Sequence, residues 1–384
     1  LLVALPAQQP VPAQQPVPAQ QPVPVKIGTW NIEFLGADPK YRRDTPPRDD
    51  DDYTKIGQYI RALGVAALGV QEICGEAPLQ KVAAAAGPSW RAILGTSGQW
   101  TDGKTQQGVG FLYDTAELEL LHCEELLDFP SERDGVNVFH RKPVTACFRH
   151  LATGADFRLV VVHLKAGRKD RDRQKRSAEA QTLREWVGRL QATAGEDPDI
   201  AILGDFNCSY GDAPERILEA GGALTYLEQA KASPTILWFD DPIDQIAVAA
   251  GFDEVLGQTI TSHAVRDEQE RLTYRKSFSD HFACTTALQL RIDDDPDATF
   301  TKGPKNQWLP VSARPRAPQA GQGWPLTVGA KVEVRLESAN TGEKSFAGVL
   351  AAPLPSASGW VVIESDGVLR AFPTERVRWI VERR

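Results

Sequence analysis

Ile202-Leu203-Gly204-Asp205-Phe206-Asn207 closes an apolar run that begins at Ile200 and hands over abruptly to an acid and an amide. Such a run reads as a buried strand, with Gly204 as its turn and Asp205 and Asn207 delivered at its C-terminal end. Open α/β sheets place their ligands at that end. Two polar side chains two residues apart can face one cleft, the acid taking a proton or steering a water while the amide donates to a phosphate oxygen. Strand, glycine and aspartate in a row also make ordinary turns, so the reading rests on what surrounds it.

Outward from this stretch the same pattern repeats. Lys26 to Phe34, KIGTWNIEF, is a short strand carrying Asn31, and Val65 to Val70 is a buried strand that delivers Gln71 and Glu72. Phe157 to Leu164 ends in His163, PIDQIAV carries Asp244, and Ser279-Asp280-His281 directly precedes a final strand from Phe282 to Leu290. Gly108–Tyr113, Leu118–Leu127, Pro143–Phe148 and Phe157–Leu164 follow one another closely and suggest antiparallel hairpins. Helical spacing appears at Ile56, Ile60 and Leu63, over Leu79–Ala86, and from Lys169 to Gln191, where Leu183, Trp186, Val187 and Leu190 share a face. Mixed strands and helices with polar residues at strand ends imply a layered α/β sandwich, two mixed sheets flanked by helices.

The remaining chain has other compositions. Leu1–Ala7 looks like the tail of a signal peptide's apolar region, and AQQPVP then repeats at 7–12, 13–18 and 19–24, an extended polyproline spacer. The main domain is expected over 25–292, a Pro/Gly/Asp-rich linker over 293–323 and a small all-β barrel over 324–384, where KVEVRLES, SFAGVLAA, GWVVIES, VLRAFP and VRWIV read as short strands. Asp49–Asp52 is a run that could bind calcium or serve as a solvated loop favouring the next helix N-terminus. A net charge of −8 means that any polyanion must be held by a local basic patch or through metal. Five cysteines match no close-spaced zinc pattern, and in an exported protein four of them could pair in a connectivity that sequence does not reveal. The sequence contains no methionine.

TWNIEF, QE, VVHLK, GDFN, IDQI and SDH stand in the order found in the endonuclease/exonuclease/phosphatase family, and over residues 25–290 the chain resembles that family. The resemblance implies a four-layered α/β sandwich and metal-dependent phosphoester cleavage. It makes Glu72 the main magnesium ligand, with Asn31 and Asp280 close by; manganese is the other hard ion such oxygen donors suit. Asp205 would orient or deprotonate the attacking water and Asn207 would donate to phosphoryl oxygens. His281, oriented by Asp244, would bind the phosphate or act as base, while His163 would contact the phosphate or protonate the leaving oxygen. Arg141, in HRKPV, matches an arginine that secreted members place near the scissile phosphate. Where pancreatic-type deoxyribonucleases carry a glutamate that orients the histidine matching His163, this chain has Gln107, which can hydrogen-bond an imidazole without stabilising its charged form.

Just after His163, RKDRDRQKR spans 168–176, and Arg168, Lys169, Arg171 and Arg173 read either as a phosphate-backbone grip or as an exposed, charge-rich helix start. The C-terminal segment resembles small barrels of the Src-homology or Sm type, whose ligand is left open. Together these features lead to the expectation of a secreted or periplasmic, monomeric, magnesium-dependent nuclease acting on DNA or RNA, without a membrane span. A sphingomyelinase-like phospholipid phosphodiesterase and a small-phosphoester phosphatase are the enzymatic alternatives, and a binding protein on an inactive scaffold is the non-enzymatic one.

Overall fold

Apolar alternation sorts the side chains of each central strand between two different cores, and this sorting builds the layers. The computed structural model describes residues 22–37, 39–42, 45–99, 105–229, 233–255, 258–291, 293, 295 and 297–303, and then strands at 307–308, 331–336, 344–350, 360–365, 368–373 and 377–382. In chain order the first unit runs β1 (Val23–Leu35), α1 (Asp50–Leu63), β2 (Ala67–Ile73), α2 (Glu76–Ala86), β3 (Trp90–Leu94), β4 (Gly108–Asp114) and β5 (Leu118–Glu125). A small hairpin, β6 (Glu132–Arg133) and β7 (Val136–Asn137), leads to β8 (Val144–His150), β9 (Asp156–His163), α3 (Asp170–Gln191), β10 (Ile200–Asp205) and α4 (Ala213–Glu219). Then come β11 (Leu224–Tyr226), β12 (Glu228–Gln229), β13 (Asp244–Ala249), β14 (Thr259–Ser262), α5 (Glu268–Ser277), β15 (Cys284–Leu290) and β16 (Gln307–Trp308).

Two seven-stranded sheets result, ordered β12-β14-β15-β1-β2-β4-β3 and β11-β13-β10-β9-β8-β5-β16. Both are mixed: β1 and β2 pair in parallel, as do β9 and β10, among antiparallel neighbours. Along β10, Ala201 and Leu203 join the core between the sheets, whereas Ile200 and Ile202 join a second core with Leu183 and Val187 of α3. The first sheet mirrors this, Ile27 facing inward and Trp30 and Ile32 facing a third core with Ile56 and Ile60 of α1, Leu79 of α2 and Tyr274 of α5. The order is therefore helices, sheet, sheet, helices, as the family resemblance implied. Close approach of the sheets depends on Gly69, where an added Cβ would stand 2.1 Å from the Leu203 methyl.

Asp49–Asp52, open at the sequence level between calcium and a helix start, is the latter. Asp49 caps α1, its side chain accepting from the Asp52 amide while Asp52 accepts from that of Asp49. All five cysteines are free. No described helix is long and apolar enough to cross a membrane.

Two boundaries differ from the sequence-based expectation. Val23 and Pro24 already pair with Leu290 and Gln289, since proline is tolerated in the first residues of a strand. The chain beyond Asp293, expected as linker, is at first part of this unit: Thr299 exchanges backbone bonds with Gly195 and Asp197, and β16 pairs with β5. A composition rich in Asp and Pro signals irregular backbone, and irregular backbone can still dock. The contact boundary falls at Val311.

The second unit, described by itself, contributes five antiparallel strands, Lys331–Leu336, Lys344–Leu350, Trp360–Ser365, Val368–Pro373 and Val377–Glu382, with the second at the centre of the sheet and the first paired between the second and the last. Whether they close into the expected barrel lies outside the described residues, as do 1–21 with most of the repeat.

Candidate active site

The site forms where the space between the two sheets runs out of apolar side chains. Following the inward face of each strand to its end, Leu203 is succeeded by Asp205, Val161 by His163, and Ile246 is preceded by Asp244. The register sets these three side by side, with Asp205 opposite both His163 and Asp244. From the first sheet the inward residue at the same edge is Asn31, and its amide crosses the gap to Asp205 Oδ2 at 3.1 Å. Gly204 makes this junction possible: its φ of +151° is disfavoured for side chains, and a Cβ there would meet the Val162 carbonyl oxygen at 2.0 Å.

Glu72 reaches the site by breaking the alternation. The pairing of β2 with β4 shifts between Gln71 and Ile73, and Glu72 in that irregularity has φ 60°, which turns its carboxylate toward the cleft. Its Oε2 accepts from the Phe34 amide at 3.2 Å and its Oε1 lies 3.9 Å from His163 Nε2. Glu33, Phe34 and Asn207 also have positive φ, so four of the six non-glycine residues in that region border this site.

His281 Nδ1–H donates to Asp244 Oδ2 at 2.8 Å, while its Nε2 stands 3.8 Å from Asp205 Oδ2. Its backbone is clamped by Trp30 Nε1 and the Tyr274 hydroxyl, both donating to its carbonyl. His163 Nε2 is 3.4 Å from Asp205 Oδ2, and its buried Nδ1 has no hydrogen-bond partner among the described residues. Asn207 donates its backbone amide to Asp205 Oδ1 at 2.9 Å and its side-chain amide to the Leu164 carbonyl at 3.1 Å. Asp280 accepts from Trp238 Nε1 at 3.4 Å.

Gln107 does not orient His163. Its Oε1 accepts from Arg141, which also donates to the carbonyls of His163 and Leu164, so the glutamine positions the arginine instead. These bonds engage three of the five guanidinium N–H groups, leaving two for a ligand. The basic run divides as well: Arg176 is buried and donates to the carbonyls of Lys165 and Gly167, whereas Arg168, Lys169, Arg171 and Arg173 are exposed. Arg173 spends part of its charge on Asp170 at 3.0 Å.

Burial and crowding of acids shift the protonation equilibria. Burial first and then Asp280 push Glu72 up to about 7, and burial with Asp244 pushes Asp205 up to about 6. For His281, burial favours the neutral ring, but Asp244, Asp205 and Asp280 together overcome it and raise its pKa well above the ordinary imidazole value. Burial, Arg141 and His281 depress His163 instead. Two imidazoles at one site are thus held in opposite states, the arrangement that separates acid and base tasks.

Asp205, Asp244 and His281 offer ligand atoms within 4.8 Å of one another, but Asp244 is committed to His281, so this trio is better described as a dyad facing an acid. Glu72 offers the stronger case for an ion. It is a largely buried carboxylate surrounded by Asp280 and Asp205, and the donors around it are hard oxygens that fit a divalent cation.

The sequence did not single out the loop before Asp244, where Trp238 is 56% exposed and lies over the Arg275 guanidinium, 4.9 Å from the ring centroid, while Phe239 is covered by Arg168 at 5.6 Å. Leu237 N–H bonds the Asp280 carbonyl, fixing this loop to the site. The available signal was an adjacent Trp-Phe pair in an acid- and proline-flanked loop.

Fold and cluster together define a hydrolase of phosphoesters, with acidic and histidine side chains able to hold a divalent ion. The chain belongs to the endonuclease/exonuclease/phosphatase family, whose model matches residues 28–294. Among solved structures it is similar to an endonuclease/exonuclease/phosphatase from Bacteroides vulgatus, at 17% identity over 70% of this chain and 100% of that one, TM-score 0.51. It is also similar to the human nocturnin catalytic domain, solved with a bound sulfate anion, at 14% identity over 69% and 93% of the two chains, TM-score 0.50. At these identities the likeness concerns the fold. No curated protein matches the sequence.

Proposed function

We propose that this chain is an exported, divalent-metal-dependent phosphodiesterase that hydrolyses DNA or RNA by direct attack of water. The observation that carries the reading is the connected line from Asp244 through His281 to Asp205 and Asn31, facing Glu72 across the cleft. A magnesium or manganese ion held by Glu72, with Asn31 and Asp280 alongside, would supply Lewis-acid polarisation of the phosphoryl group.

The protein groups divide the remaining tasks. His281 is held protonated by Asp244, so it suits a hydrogen bond to a phosphoryl oxygen better than proton abstraction. His163 is held neutral, which suits a phosphate contact rather than a standing acid. Asp205, titrating near neutrality, is left as the group to orient or deprotonate water. Arg141 retains two N–H donors for phosphate oxygens, and Asn207 retains one side-chain N–H.

Nucleic acid is favoured by the exposed Arg168, Lys169, Arg171 and Arg173 just beyond His163, a local basic patch on a chain of net charge −8. Trp238 adds an exposed ring surface on which a base can stack. The exposure of Trp238 also supports the second reading, a phospholipid phosphodiesterase that inserts an aromatic loop. Its bond to Asp280 and its contact with Arg275 favour the first, since both hold the ring at the cleft.

The test offers plasmid DNA, RNA and sphingomyelin to the purified chain in parallel with magnesium, with Asp205→Ala as control. Cleavage of either nucleic acid that disappears in the mutant supports the proposal. Activity on the lipid alone, lost in Trp238→Ala, would replace it with the second reading, and inactivity on all three would overturn both.

A further inference from the structure

A second acidic cluster stands apart from the active site, at the opposite end of the strands that carry His163 and Asp205. Asp156 begins β9, Asp197 lies in the loop that leads into β10, and Asp295 follows β15; one oxygen of each falls within 4.8 Å of the other two. Asp197 is fully buried and Asp156 is 6% exposed, while Asp295 sits at the accessible rim. Asp197 Oδ1 accepts from the Asp199 amide at 2.8 Å, but its Oδ2 is buried with no hydrogen-bond partner among the described residues.

A buried carboxylate oxygen without a donor is costly, and neighbouring acids raise the cost. Two arginines lie nearby, and neither donates to Asp197. Arg149 bonds Asp156 Oδ2 at 2.6 Å from a half-exposed position, and Arg158, fully buried, gives its guanidinium to Glu196 at 2.8 Å and to the Thr301 carbonyl. Among the described residues nothing donates to Asp197 Oδ2, which lies with the oxygens of Asp156 and Asp295.

We propose that Asp156, Asp197 and Asp295 bind a divalent cation, with calcium the best fit, and that the ion fastens the segment after β15 to the first unit. Two oxygens on one calcium ion lie at most roughly 4.6–5.2 Å apart, so oxygens all within 4.8 Å of one another can share one, and its flexible all-oxygen shell suits carboxylates from separate segments. The three ligands come from three separate stretches of chain. Two of them are joined otherwise by the backbone bonds of Thr299 to Gly195 and Asp197, so the ion would reinforce an existing contact.

The test uses the full chain, stripped of metal by a chelator, with calcium chloride as the probe. In thermal unfolding at pH 7.5, the melting temperature should rise saturably by about 3 °C or more. The same rise is expected in Glu72→Gln, which separates this ion from any at the active site, and it should vanish in Asp197→Asn. Asp295→Asn, at the rim, should weaken calcium at least about tenfold while leaving the fold intact, and titration calorimetry of Glu72→Gln should show one calcium fewer when Asp197→Asn is added. An equal response in wild type and Asp197→Asn would overturn the proposal. So would the absence of any calcium response, with stability that falls as pH rises from about 4 to about 8 whether or not calcium is present; a proton shared by Asp156 and Asp197 would then satisfy the cluster.

Discussion

Buried acids stand at both ends of the parallel pair β9 and β10, and the two ends are furnished differently. At one end Asp205 stands beside His163, Asp244 and His281; at the other, roughly 23 Å away along β9 at about 3.3 Å per residue, Asp197 stands beside Asp156 and Asp295. The first end mixes acids with two imidazoles and Arg141, so protons and charge can be redistributed within it. The second is three carboxylates, with Arg149 bonded to Asp156. Burial raises acid pKa values in both places, to about 6 for Asp205 and about 8 for Asp197. What differs is the partner, and the partner decides whether a buried acid can take part in turnover or only hold something in place.

The comparison breaks most decisively through mutation. His281→Ala should reduce phosphoester hydrolysis by roughly 10²–10⁴, as loss of a charged phosphate donor at the reacting centre demands, with the fold retained at a lower melting temperature because buried Asp244 loses its donor. Asp197→Asn should leave kcat within about twofold, so steady-state kinetics of the two variants side by side would separate the ends. Comparable losses in both would erase the distinction.

Metal affinity comes next. Glu72 and Asp205 are held up to about 7 and about 6; a cation on Glu72 requires its ionised form and is helped by the charge of nearby Asp205. Magnesium affinity measured by calorimetry should therefore climb from pH 5 to about 7 and then level off, by one to two orders of magnitude. Glu72→Gln should lower it at every pH. The sign for stability follows from linkage: both folded-state values lie above the unfolded value of about 4, so their contribution to the metal-free protein is greatest below about pH 4 and is lost as pH rises toward about 7. Denaturant titrations with and without magnesium would reveal this loss and its reversal.

A smaller effect sharpens the substrate side of the active end. Replacing Arg168, Lys169, Arg171 and Arg173 with glutamine should reduce the slope of log affinity against log salt by up to about 0.9 per lost phosphate contact on duplex DNA. Binding measured across a salt series would show it, and an unchanged slope would leave these side chains as a solvated helix start. Smallest is Gln107→Glu, which should strengthen the hold on Arg141 and shift substrate KM more than kcat, readable in steady-state kinetics.

Much of this was legible in the chain. The strand ends, the helix faces and the six ordered motifs led to the layered sandwich and to the residues that converge on Asp205, because strand alternation has a period of two and polar residues at its end stand out against an apolar run. Other features had no local signature. Gln107 was expected beside His163 by analogy of position, and only the packed arginine fork shows that it serves Arg141. Trp238 reads in sequence as one aromatic in a loop, and its place over Arg275 depends on α5, which lies far along the chain. The segment after Asp293 has the composition of a linker, yet Thr299 and β16 dock it.

Asn31, His163, Asp205, Asp244 and His281 could be named from the sequence because each stands at a strand end inside a motif shared with the family. Their meeting could not: it needs two sheets to close over Gly69 and Gly204, so that Asn31 from one reaches Asp205 on the other. The cluster of Asp156, Asp197 and Asp295 belongs wholly to tertiary structure, since its members lie up to 139 positions apart (295 minus 156) and nothing in the spacing of acids along a chain records which of them the fold will bury together.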